Sequence, residues 1–167
     1  MMAYRIAYCK VHYPLAYYAA YFSIRADEFN ANEIVKGDNY VANQIYKLNG
    51  LDRKLDLKES ATLAVLELAH EMFSRGFGVE HVDLYKSDSD RFIVLEKSLL
   101  PPLASLDGVG QVAAKGIVEA RKSGEFTSIE DLKNRAGINK TAIAALKDHG
   151  CLKNLDETDQ MNLFSGF

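Results

Sequence analysis

The sequence predicts a mainly α fold with one small β pair, on three observations. Apolar residues recur at helical spacing through most of the chain, Gly and Pro punctuate it into short blocks, and strand-like alternation is confined to residues 82–95. Its 167 residues are 48% hydrophobic and 26% charged, a balance that can bury a core in one ordinary domain or two small ones. No apolar run reaches the roughly 18 residues that a membrane span needs.

The elements follow in order. Residues 2–9 are helix-like, yet no Ser, Thr, Asp or Asn caps them, so the chain is expected to begin part-way through a helix. That helix runs to about His12, because Tyr13 precedes Pro14 and is pushed out of the α region. Pro14 suits the first turn of a second helix over about 15–24. Tyr13, Tyr17, Tyr18, Tyr21 and Phe22 make this stretch aromatic all round, which predicts burial on more than one side. Core packing is the favoured role there over a platform for stacking bases. Gly37 and Gly50 break the polar region 26–50 into short helices near 31–36 and 39–48. Asp56-Leu57-Lys58-Glu59 is a capping box that opens a long helix to about Arg75, and Gly76 and Gly78 stop it. Val82 with Leu84, then residues 91–95, read as two short strands. Pro101-Pro102 marks the next boundary, followed by four short helix-like blocks to Leu152 and a polar tail.

Composition excludes several function classes. The two cysteines, Cys9 and Cys151, lie far apart with no CxxC, so a disulfide framework, an iron–sulfur cluster and a four-cysteine zinc site are ruled out. His12, His70, His81 and His149 have no metal-ligand spacing, so no metal ligand is assigned. There is no apolar signal segment with a small-residue cleavage site at the N-terminus, and a reducing cytoplasm fits best. The net charge of −3 argues against a general nucleic-acid coat. It is unevenly spread, however: residues 1–25 carry +3 and 101–150 carry +1, with acidic segments between and after them. A locally basic face can still bind phosphate, but the global charge will not help.

The most informative stretch is Leu106-Asp107-Gly108-Val109-Gly110-Gln111, followed by Ala113, Lys115, Ile117 and Ala120. An apolar residue, Gly-x-Gly and an apolar-faced helix form the helix-hairpin-helix pattern. Two glycines let the backbone turn tightly and approach another backbone closely. The amides of Gly108, Val109, Gly110 and Gln111 are then expected to point outward beside a helix N-terminus, where donors and dipole together attract phosphate. Such a contact reads no bases, so binding is expected to be independent of sequence. A plain helix–helix turn is the rival. No Lys-Ser/Thr follows the second glycine, which excludes a nucleotide P-loop, and Gly116 falls too late for a dinucleotide fingerprint. Thr127-Ser128-Ile129-Glu130 reads as a second capping box. A degenerate second hairpin then puts Lys140 and Thr141 at the start of its second helix. Two hairpins side by side can grip both backbones of a duplex. Asp107 is open: it either costs affinity beside the phosphate cradle or caps the following turn.

After Asn154 periodicity is lost. Gln160-Met161-Asn162-Leu163-Phe164 puts apolar residues on an acidic tether, which suggests a short docking peptide, with folding back onto the domain as the rival.

At these residues the chain resembles the C-terminal part of the bacterial replicative polymerases of the PolC type, the DNA polymerase III alpha subunits. Tyr8-Cys9-Lys10-Val11-His12-Tyr13-Pro14 with Tyr17-Tyr18-Ala19-Ala20 is similar to the end of that family's fingers domain. Val82-Asp83-Leu84-Tyr85 and Leu100-Pro101-Pro102 resemble the entry to its duplex-binding domain. Gly108-Val109-Gly110 matches its helix-hairpin-helix, Lys140-Thr141 with His149-Gly150-Cys151-Leu152 its closing segment, and residues 160–164 its sliding-clamp motif. The resemblance implies a helical fingers remnant over 1–77, a duplex-binding domain over 78–152 with tandem hairpins at 103–150, and a flexible clamp-binding tail over 153–167. It implies DNA contacts from Gly108, Val109, Gly110, Gln111, Lys115, Lys140 and Thr141. Clamp contacts would come from Gln160, Met161, Asn162, Leu163 and Phe164. The partners implied are primer–template duplex, the sliding clamp and other replisome subunits. No catalytic residue is assigned: the palm carboxylates that hold Mg2+ for nucleotidyl transfer would lie elsewhere in the parent, and this chain alone is expected to be inactive. A helix-hairpin-helix glycosylase would carry a Lys where Val112 stands. A helical protein-interaction module and a helix-hairpin-helix repair accessory protein remain the alternatives.

Overall fold

A computed structural model describes residues 2–158. Among them are eight α-helices and a three-stranded sheet. Helix α1 (Met2–His12) ends at Tyr13, and α2 (Pro14–Ile24) starts on Pro14, whose missing N–H is no loss in a first turn. Two short helices, α3 (Ala31–Ile34) and α4 (Asp38–Asn49), lead to the long α5 (Leu57–Ser74). The capping box at its start is present in full: Asp56 Oδ1 accepts from the Glu59 amide, and Glu59 accepts from the Asp56 amide.

Helix α2 buries one stripe, Leu15, Tyr18, Ala19 and Phe22, with Tyr17 and Tyr21 half-buried beside it and Tyr13 exposed. Expected burial on several sides thus narrows to one face. The stripe meets Phe29 and Phe92, with ring centroids 4.9 Å apart for Phe22–Phe29 and 4.8 Å for Phe29–Phe92. Tyr18 is fully buried, and its hydroxyl donates to Glu71 and accepts from Arg75, tying α2 to α5. Lys10 Nζ, 2.6 Å from Glu71, ties in α1.

The strands are placed differently from expectation. They are β1 (Gly78–Val79), β2 (Ile93–Val94) and β3 (Ser98–Leu100), in the order β1-β3-β2. β1 runs parallel to β3 with Val79 opposite Leu99, and β2 runs antiparallel to it with Val94 also opposite Leu99. Val82 and Leu84 are buried, as their alternation suggests, but Leu84 sits in a turn and Val82 lies outside any strand. Asp83 Oδ1 accepts the amides of Tyr85 and Lys86, so a side chain takes the donors a strand neighbour would need.

After Pro101-Pro102 comes a 3-10 turn over Leu103–Ser105, then α6 (Gln111–Ala120), α7 (Ile129–Ala136) and α8 (Lys140–His149). The cap of α7 is Ser128, which accepts from the Asp131 amide, one residue later than Thr127-based spacing predicts. One apolar core runs from Leu15 through Val65, Leu99 and Ile117 to Leu152. Residues 153–158 are held rather than loose: the Ile129 amide donates to Asp156 O, and Lys147 pairs with Glu157. The docking residues Gln160, Met161, Asn162, Leu163 and Phe164 lie outside the described residues.

Candidate nucleic-acid interface

The loop 106–110 is anchored by its two apolar residues. Leu106 and Val109 are both buried, and the Val109 amide donates to Leu106 O at 3.0 Å. That bond corrects one expectation: the Val109 donor is spent inside the turn and does not face outward. The amides of Gly108, Gly110 and Gln111 have no acceptor among the described residues.

The two glycines serve different purposes. Gly108 has φ +95°, and a Cβ there would lie 3.3 Å from Ala145 Cβ and 3.6 Å from Thr141 O. It is required by the turn and by the close approach of α8. Gly110 has an ordinary φ of −70° and nothing within 4 Å of where a Cβ would stand. Its small size serves the open side of the loop, where another molecule could approach.

Helix α6 begins at Gln111 with no side-chain cap and no acidic residue in its first turn. Helices α3, α5, α7 and α8 each have a cap, from Asn30, Asp56, Ser128 and Asn139, whereas α2 and α4, like α6, have none. The positive end of α6 therefore keeps its donors free for an external anion. Gln111, Lys115, Lys140 and Thr141 are exposed. Contact of Gly108 with Thr141 and Ala145 brings the second hairpin beside the first. The second hairpin is not equivalent, since Asn139 Oδ1 already accepts the Ala142 amide at 2.8 Å. Asp107 caps nothing: it is exposed and has no hydrogen bond among the described residues. It lines an open cleft of about 590 Å³ with Asp27, Glu28 and Glu33, where Lys58 is the cation. Gly108, Gly110 and Gln111 line the same cleft, so the free amides open beside an acidic wall.

The supporting shell was not legible beforehand. Gly116 lies where α6 crosses α7, and a Cβ there would overlap Ala136 O. Arg135 donates to the carbonyls of Ala120, Gly124 and Glu125 and lies over the Phe126 ring at 4.7 Å. Its bond to Asp131 holds that carboxyl below the usual carboxylate range. A helix-interior glycine was the available signal for the first, and nothing local marks the second.

The profile of the helix-hairpin-helix motif matches residues 76–161, just over half the chain. The chain belongs to the helix-hairpin-helix family. Its relatives include DNA polymerase III PolC-type of Clostridium perfringens, 48% identical over 98% of this chain. Those of Caldanaerobacter subterraneus and Bacillus subtilis are 47% and 45% identical over the same share. The helix-hairpin-helix chain spans only 11–12% of these relatives' length. Among the described residues, no helix is long and apolar enough to cross a membrane and no group of three or more His, Cys, Asp or Glu is placed to hold a metal.

Proposed function

We propose that this chain is the duplex-holding part of a replicative DNA-directed DNA polymerase of the cytoplasm, with fingers-like helices over 1–77, a duplex-binding domain over 78–152 and a clamp-docking tail over 153–167. The observation that supports it most is the uncapped, acid-free start of α6 behind the Gly108 turn, with amides lacking acceptors. Backbone amides of Gly108, Gly110 and Gln111 take one phosphate, and Lys115, Lys140 and Thr141 take others, so the duplex is gripped by its backbone without base readout. The tail, through Gln160, Met161, Asn162, Leu163 and Phe164, docks on the sliding clamp. Tethering raises the local concentration of the primer end without tight DNA binding, which suits a chain of net charge −3. Nucleotidyl transfer and its Mg2+ belong to the rest of the parent, and this chain by itself is inactive.

Gly110→Asp tests the cradle. Aspartate fits the extended backbone at that cap and satisfies α6 donors, so stability holds or rises by a few tenths of a kcal/mol. The same carboxylate occupies the phosphate position, and duplex affinity by fluorescence anisotropy is expected to fall at least tenfold. Unchanged affinity would favour a helical protein-interaction module. For the tail, calorimetry against the cognate clamp is expected to give binding that vanishes in the double variant Leu163→Ala/Phe164→Ala. Duplex binding without clamp binding would instead fit a repair accessory protein.

A further inference from the structure

His149 closes α8 and reaches two other parts of the chain. Its Nδ1 lies 2.6 Å from Asn32 Oδ1 on α3, and its Nε2 accepts the Val82 amide at 2.9 Å. A backbone N–H can only donate, so Nε2 carries no proton and the neutral ring must hold its proton on Nδ1, facing the Asn32 oxygen. The other side of the Val82 residue is held as well, by Cys151 Sγ donating to Val82 O at 3.1 Å. Among the described residues, the His149–Asn32 bond is the hydrogen bond that joins α1–α5 directly to α6–α8.

We propose that His149 is the positioning residue of the paired hairpins: its neutral imidazole pins α8 to α3 and to the Val82 peptide, setting the pose of the phosphate-facing loop, and protonation releases it. A second proton would sit on Nε2 against the Val82 N–H, turning an acceptor into a donor facing a donor. The surroundings disfavour that charge. Burial, then the neighbouring His81 ring at 5.2 Å, pull the His149 pKa down to about 4. Of the acids on adjoining segments, Asp83 acts on the Cys151 thiol, which burial first and then that carboxylate push up to about 12. Glu33, next to Asn32, lines the cleft by the hairpin loop. Asp148 precedes His149 and is exposed. The connection reaches the DNA side through α8, because Thr141 and Ala145 of the same helix abut Gly108.

This pose matters for DNA only if the duplex-holding function is right, so the first readout is independent of DNA. In the whole chain, nitrogen NMR of the imidazole is expected to show the Nδ1–H tautomer alone, titrating well below pH 6. The protection factor of the Val82 amide is expected to disappear along the same titration. In His149→Phe that amide should exchange at least tenfold faster at pH 7.5 while Val65 in α5 stays protected, with His149→Gln restoring part of the protection. Duplex affinity should fall threefold or more in His149→Phe and recover in His149→Gln. An imidazole titrating near 6.5, or Val82 protection indifferent to it, would overturn the proposal. The wild-type titration decides this even if His149→Phe does not fold. Protection that follows His149 in a chain binding no duplex would keep the lock and sink the duplex-holding function. Protection that follows His149 with duplex affinity unmoved would overturn the positioning role.

Discussion

Gly108, Gly110 and Gly116 lie within nine residues and answer to three different physical demands. Gly108 is held at positive φ against α8, so Gly108→Ala is expected to cost about 1–3 kcal/mol in denaturant unfolding. Gly110→Ala meets no neighbour and no strain, and its unfolding midpoint should stay close to wild type. Gly116→Ala gains about 1 kcal/mol of helix propensity, yet its methyl overlaps the Ala136 carbonyl oxygen. The backbone cannot rotate away as a side chain would, so a net loss of about 2 kcal/mol is expected. The Gly-x-Gly pattern showed that a tight turn was present. Which glycine was obligatory for the chain itself depended on α8, which the pattern does not contain, and that the Val109 amide was already used depended on the turn bringing it to the Leu106 carbonyl.

Elements follow their local chemistry wherever that chemistry is complete within a few residues. The box at Asp56 and Glu59 is such a case, and Asp56→Ala should lower stability by about 1 kcal/mol, measured by thermal or denaturant unfolding. Pro14 and the positive-φ Gly76 likewise mark ends that the structure keeps. Strands behaved otherwise. β1 pairs with β3 across some twenty residues, so Gly78 and Val79 become a strand through Ser98 and Leu99 and not through their own alternation. Val82 and Leu84 alternate because both face the core, while Asp83 takes the Tyr85 and Lys86 amides and the Val82 amide goes to His149. Period-two burial is a property of facing, which turns and strands share.

At the scale of the molecule, charge decides both binding and acid stability. Duplex affinity should fall with salt on a log–log slope that loses about one unit each for Lys115→Ala and Lys140→Ala, equally for unrelated sequences. Stability should fall in two stages on acidification. His149 is depressed from 6.5 to about 4, so the unfolded chain takes up its proton first. Its contribution is complete above about pH 6.5 and is lost as pH falls to about 4. Glu59 is held at about 2, by Arg53 first and then the Asp56 amide. For Glu71 burial acts upward, but its bonds from Lys10 and Tyr18 outweigh that and leave it below 4.5. Their contributions are present above about 4.5 and are lost below it. Unfolding midpoints over a pH series check this, and His149→Phe should remove the upper stage alone.

By itself the sequence determined the helical character, the order of the helices, the capping box at Asp56 and the hairpin loop, because each depends on residues within about four positions of one another. The residues around Gly108, Lys140 and Thr141 were legible for the same reason. Tertiary structure alone decided the three-stranded sheet, the single buried face of α2, the α6–α7 crossing at Gly116 and the meeting of His149 with Asn32, 117 residues apart. These rest on contacts between segments whose separation leaves no periodic trace, and a lone histidine carries no mark of the amide it will accept.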